Sequence, residues 1–304
     1  MAFTAADVKN LREMTGVGMM DCKKALAEAD GNIDKAIEYL REKGLAASAK
    51  KAGRIAAEGM AYATVIDGVG VVVEVNAETD FVGKNEKFVG FVKGVAAVVA
   101  KENPADLEAL MACKYNDTLT VEQQQQEMVL VIGENIKVRR FARFADGVSV
   151  AYVHAGGKIG VLVNLDTDLT YEQVEEAGKD AAMQIAALNP RFWDKSQVTE
   201  EVLEEEKRIM MVQMANDPKM ANKPEQVREK IVMGKLNKFY SENCLLQQEF
   251  VKDNNFTVEK YIASVAKAQG GTITFKNAVR FEKGEGIEKK EENFAAEIAS
   301  MVKG

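Results

Sequence analysis

An internal repeat constrains the fold of this chain more than any other feature of its sequence. The segment 59–75 (GMAYATVIDGVGVVVEV) is echoed by the segment 147–165 (GVSVAYVHAGGKIGVLVNL). Each segment has two apolar runs separated by a glycine-containing turn, which is the pattern of a β-hairpin. A third strand-like segment follows later in each copy, at 136–144 (IKVRRFARF) and at 273–281 (ITFKNAVRF). The sequence therefore predicts two related, small antiparallel sheets.

A long amphipathic helix is predicted after each hairpin. Apolar residues recur at helical spacing within 86–101 and again within 174–188. An Asn-Pro pair closes both predicted helices, at 103–104 and at 189–190. The predicted fold class is therefore α+β, with a core of two repeated halves, each a small antiparallel sheet covered by helices.

Further helices are predicted around this core. Three short helices are expected within the first 43 residues, with Cys22 on the inward face of the second. Residues 43–54 are small and basic, which favours a solvated linker over a phosphate-binding patch. Residues 199–240 predict an antiparallel helical hairpin, with Val202, Ile209 and Val212 along the face of its first helix. A last amphipathic helix is expected at the C-terminus.

These elements divide the chain into five predicted parts. The N-terminal part is a helical docking domain followed by a linker, and the helical hairpin is an insertion in the second half of the core. The ranges are 1–54 for the docking domain and linker, 55–145 for the first core half, 146–198 with 241–286 for the second core half, 199–240 for the hairpin and 287–304 for the C-terminal helix.

Two polar or sulfur-containing runs have simple structural interpretations. The methionines at 210, 211 and 214 fall within the first hairpin helix, where packing in the helix seam is favoured over an adaptable binding surface. The glutamine run at 123–126 is interpreted as a solvated helix face.

Composition and charge exclude several function classes. The formal net charge of the 304 residues is −7, the wrong sign for a protein that mainly binds a nucleic-acid backbone. A single histidine, His154, removes most catalytic and metal sites that need an imidazole with partners, and it is interpreted as a surface or contact residue. Three separated cysteines suit a reducing compartment. No stretch approaches the roughly 18 apolar residues of a membrane span.

These exclusions define the expected class of protein. We expect a cytoplasmic protein whose partner is a protein or a small molecule, with no catalytic residue, no cofactor and no resident metal ion. We expect no direct contact with nucleic acid and no association with a membrane.

The stretch 74–84 (EVNAETDFVGK) is the strongest candidate for a functional segment. It lies between a predicted buried strand and a predicted helix, so Asp80 and Phe81 should lie on a connection. One interpretation makes Phe81 a plug of the core and Asp80 a helix cap; the other makes the pair an outward-facing probe. In the second copy of the repeat the chain enters its helix directly, which indicates that the scaffold does not need this pair.

Two segments resemble the signature segments of a known family. The segments 11–26 (LREMTGVGMMDCKKAL) and 74–82 (EVNAETDFV) resemble those of bacterial elongation factor Ts, the guanine-nucleotide exchange factor of the GTPase elongation factor Tu. The segments 229–239 and 245–251 also resemble the exit of that family's helical hairpin, and the order of parts agrees along nearly the whole chain. Ala77 and Gly83 depart from the residues more common in the family.

The resemblance implies a fold, a partner and a set of contact residues. It implies that the three N-terminal helices form a ubiquitin-associated-like domain and that the hairpin is a coiled coil. Elongation factor Tu would be the partner, and Asp80 and Phe81, flanked by Thr79 and Val82, would insert near its Mg²⁺ site. The remaining implied contacts are Leu11, Arg12, Met19 and Met20 in the N-terminal domain and His154 in the second core half.

Two functional hypotheses follow from the sequence. The first is an exchange factor that promotes GDP release, so that GTP can rebind, without covalent chemistry. The second is an adaptor that uses its ubiquitin-associated-like domain to bind an unrelated protein and exchanges no nucleotide. A homodimer, or a heterotetramer with the partner, is left open.

Overall fold

The fold is taken from a computed structural model that describes residues 3–217, 219 and 223–288. The predicted C-terminal helix over 287–304 lies outside the described residues except for Ile287 and Glu288. Within the described part of the chain, no helix combines the length and the apolar composition that crossing a membrane requires.

Three helices precede the first sheet. They are α1 (Ala5–Thr15), α2 (Met19–Glu28) and α3 (Ile33–Lys51). Thr4 and Asp7 form a capping box at the start of α1, and Gly16 ends it in the left-handed conformation with φ at 69°. Cys22 is fully buried between these helices, as the sequence predicted.

The first half of the core is a three-stranded antiparallel sheet with helices on one face. Its elements are β1 (Glu58–Ile66), β2 (Val69–Ala77), α4 (Glu86–Glu102), α5 (Leu107–Ala112), α6 (Val121–Ile132) and β3 (Lys137–Phe144). The strand order is β1-β2-β3, and both pairings are antiparallel.

The second half repeats this plan and contains an insertion of two helices. Its elements are β4 (Val148–His154), β5 (Ile159–Thr167), α7 (Tyr171–Leu188), α8 (Glu200–Asn216), α9 (Glu225–Asn243), β6 (Glu249–Phe250), β7 (Asp253–Thr257), α10 (Val258–Gln269) and β8 (Ile273–Glu282). The main sheet has the order β4-β5-β8, while β6 and β7 form a separate small hairpin. The prediction of an α+β fold with small antiparallel sheets is confirmed.

The valine run of β2 is continuous because both faces of its sheet are buried. Val71, Val73 and Val75 pack in the cluster that contains α4, whereas Val72 packs with Leu162 of the other sheet. Successive side chains of a strand point to opposite faces, so an uninterrupted apolar run needs a cover on each side. The core therefore has four layers: helices, sheet, sheet and helices.

The repeat extends to local irregularities of the backbone. Each sheet has a register shift at the same place, between Glu74 and Val75 in one and between Asn164 and Leu165 in the other. The helices that follow the hairpins both end at a left-handed asparagine, Asn103 with φ at 48° and Asn189 with φ at 45°. The sequence repeat thus corresponds to two copies of one structural unit.

The prediction of a solvated linker at 43–54 is wrong for most of that segment, because α3 continues to Lys51. The small residues of this segment permit close packing. Gly44 is buried, and a Cβ built there would lie 3.3 Å from the carbonyl oxygen of Gln126 in α6. The glutamine run is correspondingly not a freely solvated face, because α3 covers part of it. Leu130 and Val131 of α6 also pack against the apolar cluster of the N-terminal helices.

The seam of the helical hairpin is only partly as predicted. Methionine packing is confirmed, because Met210, Met211 and Met214 lie in the clusters between α8 and α9. Ile209 and Val212 are exposed instead of lining the seam. A different face of α8 meets α9 from the one predicted, because Leu203 and the methionines fill the contact between the two helices.

A buried carboxylate joins the two halves of the core. Glu74 in β2 has no exposed side-chain surface, and its Oε1 accepts hydrogen bonds from Arg139 Nη1 at 2.9 Å and from the Gly284 backbone N–H at 2.8 Å. Its Oε2 accepts from Arg140 Nε at 2.5 Å. The β3 residue left out of register opposite Glu74 and Val75 is Arg139, so the bulge lets two neighbouring arginines reach one carboxylate.

Replacing Glu74 should destabilise the fold strongly. Glu74→Ala removes the buried carboxylate that two partly buried guanidinium groups share and leaves the buried Gly284 backbone N–H without its acceptor, and loss of one partner of a buried ion pair costs about 3–5 kcal/mol. Urea denaturation followed by circular dichroism should show a lower midpoint. The matched control is Glu13→Gln at the exposed Lys9–Glu13 pair, which should leave the midpoint almost unchanged. Equal midpoints for the two variants would contradict the assignment.

Candidate functional site

The candidate site is the connection between β2 and α4, residues 78–85, which we call the tip loop. The equivalent connection between β5 and α7 has only three residues, 168–170, so the tip loop is five residues longer. Since the hairpin before this connection and the helix after it are alike in the two units, the extra residues are an addition to the shared scaffold. This confirms the comparison drawn from the sequence.

Phe81 points away from the core. Its side chain is 81% exposed, and the preceding Asp80 is exposed as well. The interpretation of Phe81 as a core plug is therefore wrong. Asp80 does not cap α4 either, because Asn85 Oδ1 accepts hydrogen bonds from the backbone N–H groups of Lys87 at 2.9 Å and Phe88 at 3.3 Å.

Glu134 holds the first side of the tip loop. Its Oε2 accepts hydrogen bonds from the backbone N–H groups of Glu78 and Thr79, each at 3.0 Å, and its Oε1 accepts from Thr79 Oγ1 at 2.7 Å. A reciprocal bond runs from the Asn135 backbone N–H to Glu78 Oε1 at 2.6 Å. We call these contacts of residues 78–79 with 134–135 the clasp. Neither Glu134 nor the clasp was found from the sequence.

The second side of the tip loop is held by packing. Val82 is buried in the same apolar cluster as α4, and Gly83 lies against the backbone of β1. A Cβ built on Gly83 would approach the carbonyl oxygen of Gly59 to 2.9 Å, so a larger residue requires a shift of the backbone here. This contact gives a physical reason for glycine at one of the two positions that depart from the family pattern.

The predicted N-terminal contact residues are divided between surface and interior. Arg12, Met19 and Met20 are exposed, and so is Met14, which was not predicted. Leu11 does not lie on the surface, as its prediction as a contact residue requires. It is fully buried among the N-terminal helices and supports the surface beside it in this conformation. Flexible methionine side chains adapt readily to an apolar partner surface.

A direct contact joins the N-terminal helices to the helix that follows the tip loop. Lys87, in the first turn of α4, donates from Nζ to the carbonyl oxygen of Gly16 at 3.0 Å. Gly16 is the end of α1 and lies three residues before Met19. The structure therefore brings the two predicted partner-binding segments to the same region of the molecule.

His154 is the last residue of β4, where the chain turns towards β5; we call this turn, with His154 at its start, the His154 turn. His154 is exposed, and its Nδ1 is 3.0 Å from the hydroxyl of Tyr152. The turn is bound to β1, because the Ala61 backbone N–H donates to the carbonyl oxygen of Gly157 at 2.8 Å. Since Gly83 lies against Gly59 of the same strand, the tip loop and the His154 turn approach β1 at positions two residues apart.

The arrangement suits contact with another macromolecule better than bond chemistry. Burial raises the pKa of the Cys22 thiol and raises that of Cys244 to about 11, which keeps both thiols protonated near neutral pH. Within the part of the chain that the structure describes, no group of three or more His, Cys, Asp or Glu side chains is placed to hold a metal ion. What the tip loop offers is an exposed aromatic ring beside a carboxylate.

Comparison with known proteins identifies the family that this chain resembles. A family model described as elongation factor Ts matches residues 78–285. The curated elongation factor Ts of Syntrophotalea carbinolica is 49% identical over 307 residues and covers 100% of both chains. That of Clostridium kluyveri is 48% identical over 307 residues, covering 99% of each chain, and that of Clostridium perfringens is 49% identical over 302 residues, covering 98% of each.

Removing the Phe81 ring should leave stability unchanged. Phe81→Ala alters an exposed side chain, and such changes usually stay within about 0.5 kcal/mol. The matched control is Phe88→Ala seven residues further on, where the ring is fully buried and its loss costs about 3–5 kcal/mol. The measurement is the free energy of unfolding of both variants, determined by urea denaturation. A large loss of stability for Phe81→Ala would restore the core-plug interpretation.

Proposed function

This chain belongs to the elongation factor Ts family, which acts in translation elongation, and we propose that it promotes release of GDP from elongation factor Tu in the cytoplasm. The observation that carries the proposal is the tip loop, an addition to a repeated scaffold that presents an exposed Phe81 beside Asp80. The chain contributes binding energy and no covalent step. After GDP leaves, GTP binds and the factor dissociates.

Exchange by binding alone follows from linkage between two ligands. A GTPase holds GDP through backbone N–H groups at a helix N-terminus and through Mg²⁺ on the phosphates. A factor that binds best when this grip is disturbed weakens GDP binding, and GDP weakens binding of the factor by the same ratio. Such a factor needs an element that enters the nucleotide site and a larger surface that keeps it there.

Phe81 and Asp80 are the entering element in this proposal. Phe81 wedges between apolar side chains close to the partner's Mg²⁺ site, and the Asp80 carboxylate disturbs the polar contacts that support the ion. Thr79 and Val82 act differently, because Thr79 is bound to Glu134 and Val82 is buried. These two residues hold the loop from which the entering pair projects.

Phe81 alone does not supply enough free energy. Burial of one phenylalanine side chain contributes about 1.5–3 kcal/mol. Changing a two-state ratio from 1:99 to 99:1 requires roughly 5.5 kcal/mol of differential binding. The remainder has to come from contacts elsewhere on the factor.

The exposed N-terminal residues and the His154 turn are the proposed source of these contacts. Met14, Met19 and Met20 are exposed apolar side chains, and Arg12 is exposed as well, on the helices that Lys87 joins to α4. The His154 turn is attached to the strand that also supports the tip loop. A partner that covers both regions would bind firmly while Phe81 enters the nucleotide site.

Phe81→Ala and Asp80→Ala should each slow exchange more than they weaken binding. For Phe81→Ala we expect a fall of about tenfold to one hundredfold in the GDP release rate at saturating factor, the equivalent of losing the burial of its ring. The measurement is release of a fluorescent GDP analogue from elongation factor Tu, with affinity determined separately by calorimetry. The matched control is Phe256→Ala, a partly exposed aromatic on β7, which should exchange like the unaltered protein.

Two results would contradict the proposal in different ways. Release at the spontaneous rate with catalytic amounts of the unaltered protein would exclude an exchange factor. Firm binding of elongation factor Tu without faster release would instead support the adaptor hypothesis.

A further inference from the structure

We propose that Glu134 is a positioning residue that presents Asp80 and Phe81 in the conformation that enters the partner. The inference rests on the proposed function, since it concerns how the same loop acts. Glu134 does not touch the partner in this mechanism; it acts through the backbone of the tip loop.

The bonding pattern of Glu134 singles it out. One carboxylate accepts three hydrogen bonds from two consecutive residues, at 3.0 Å from the Glu78 N–H, 3.0 Å from the Thr79 N–H and 2.7 Å from the Thr79 hydroxyl. Hydrogen bonds to an ionised acceptor are stronger than those between neutral groups. Consecutive N–H groups aimed at one carboxylate fix the direction in which the chain leaves Thr79.

The clasp and the Val82 anchor leave a very short free segment. Thr79 is bound to Glu134 and Val82 is buried, so only Asp80 and Phe81 lie between two fixed points. Phe81 also makes a local turn, because its carbonyl oxygen accepts from the Lys84 N–H at 3.2 Å. The exposed pair is therefore held on a short, restrained backbone in the absence of any partner.

Glu134 also connects the tip loop to the N-terminal helices. It follows Gly133, which ends α6 in the left-handed conformation with φ at 87°. Leu130 and Val131 near the end of α6 pack against the apolar cluster of the N-terminal helices. The end of α6 thus packs against the helices that bear Met19 and Met20 and is followed directly by the residue that clasps the loop.

Loss of this restraint should affect the rate and leave the affinity almost unchanged. A free loop must be ordered when Phe81 enters, and fixing the backbone of one residue corresponds to about a tenfold change in an equilibrium or rate. The wide contact surface is unaltered, so the affinity for nucleotide-free elongation factor Tu should stay within about threefold. A residue that only stabilised the fold would not produce this separation.

The test uses Glu134→Ala and Glu134→Gln in the full-length protein. We expect Glu134→Ala to lower the GDP release rate at saturating factor about tenfold, and Glu134→Gln, which keeps one acceptor oxygen, to recover part of that loss. The matched control is Glu122→Ala, an exposed acid in the first turn of α6, the helix that Glu134 follows; this variant should leave the rate unchanged. Equal melting temperatures for all variants would exclude loss of folding as the cause.

A double-mutant cycle tests whether Glu134 acts through the tip. If it does, Glu134→Ala should slow exchange far less in a Phe81→Ala protein than in the unaltered one. Amide hydrogen exchange at Thr79 should become faster in Glu134→Ala without any partner present, because this N–H loses its acceptor.

The outcomes separate this inference from the proposed function. An unaltered protein that fails to accelerate release refutes the proposed function, while the hydrogen-exchange result still reports on the clasp. An active unaltered protein with an equally active Glu134→Ala variant overturns the positioning role. Fully additive effects of Glu134→Ala and Phe81→Ala would also overturn it.

Discussion

The carboxylate of Glu74 is the point at which the two halves of the core are tied together. It lies in β2 of the first sheet and accepts bonds from Arg139 and Arg140 of β3 and from the backbone of Gly284, which follows the last strand of the second sheet. Arg140 continues the connection to Glu285 at 3.0 Å. A buried charge requires partners of good geometry, so this network fixes one arrangement of the two sheets. The tip loop begins four residues after Glu74, directly beyond the end of the same strand, and therefore projects from a part of the core that this network holds.

Much of the fold could be predicted from the sequence because its information is local and duplicated. Hairpin turns, valine-rich strands and helical periodicity appear twice, so each copy supported the other, and the long connection at 78–85 was visible by comparison with its short counterpart. The exposed position of Phe81 could not be decided from its own surroundings. Apolar character alone favours burial, and only comparison of the two copies indicated that the core does not need this ring.

The residues that sequence analysis missed act over long separations in the chain. Glu134 contacts residues 55 and 56 positions away, and Glu74 contacts Gly284 at a separation of 210. No periodicity or motif identifies such pairs, because the residues next to each acid in the sequence carry no sign of its distant partner. The same limit explains the linker error: small, basic residues at 43–51 lack an apolar stripe, yet they remain helical because Gly44 allows α3 to approach the backbone of α6. Tertiary packing overrides weak local preference in that segment.

The structure separates the element that disturbs the partner from the elements that hold it. A probe that enters a nucleotide site has to be exposed, which leaves its own residues almost no packing to fix their conformation. Rigidity must therefore come from the two ends of the loop, and here it comes from hydrogen bonds at Glu134 on one side and burial of Val82 on the other. Exposure and order are opposing demands on a single residue. Dividing them between neighbouring residues allows Phe81 to remain outside the core while its backbone stays in place.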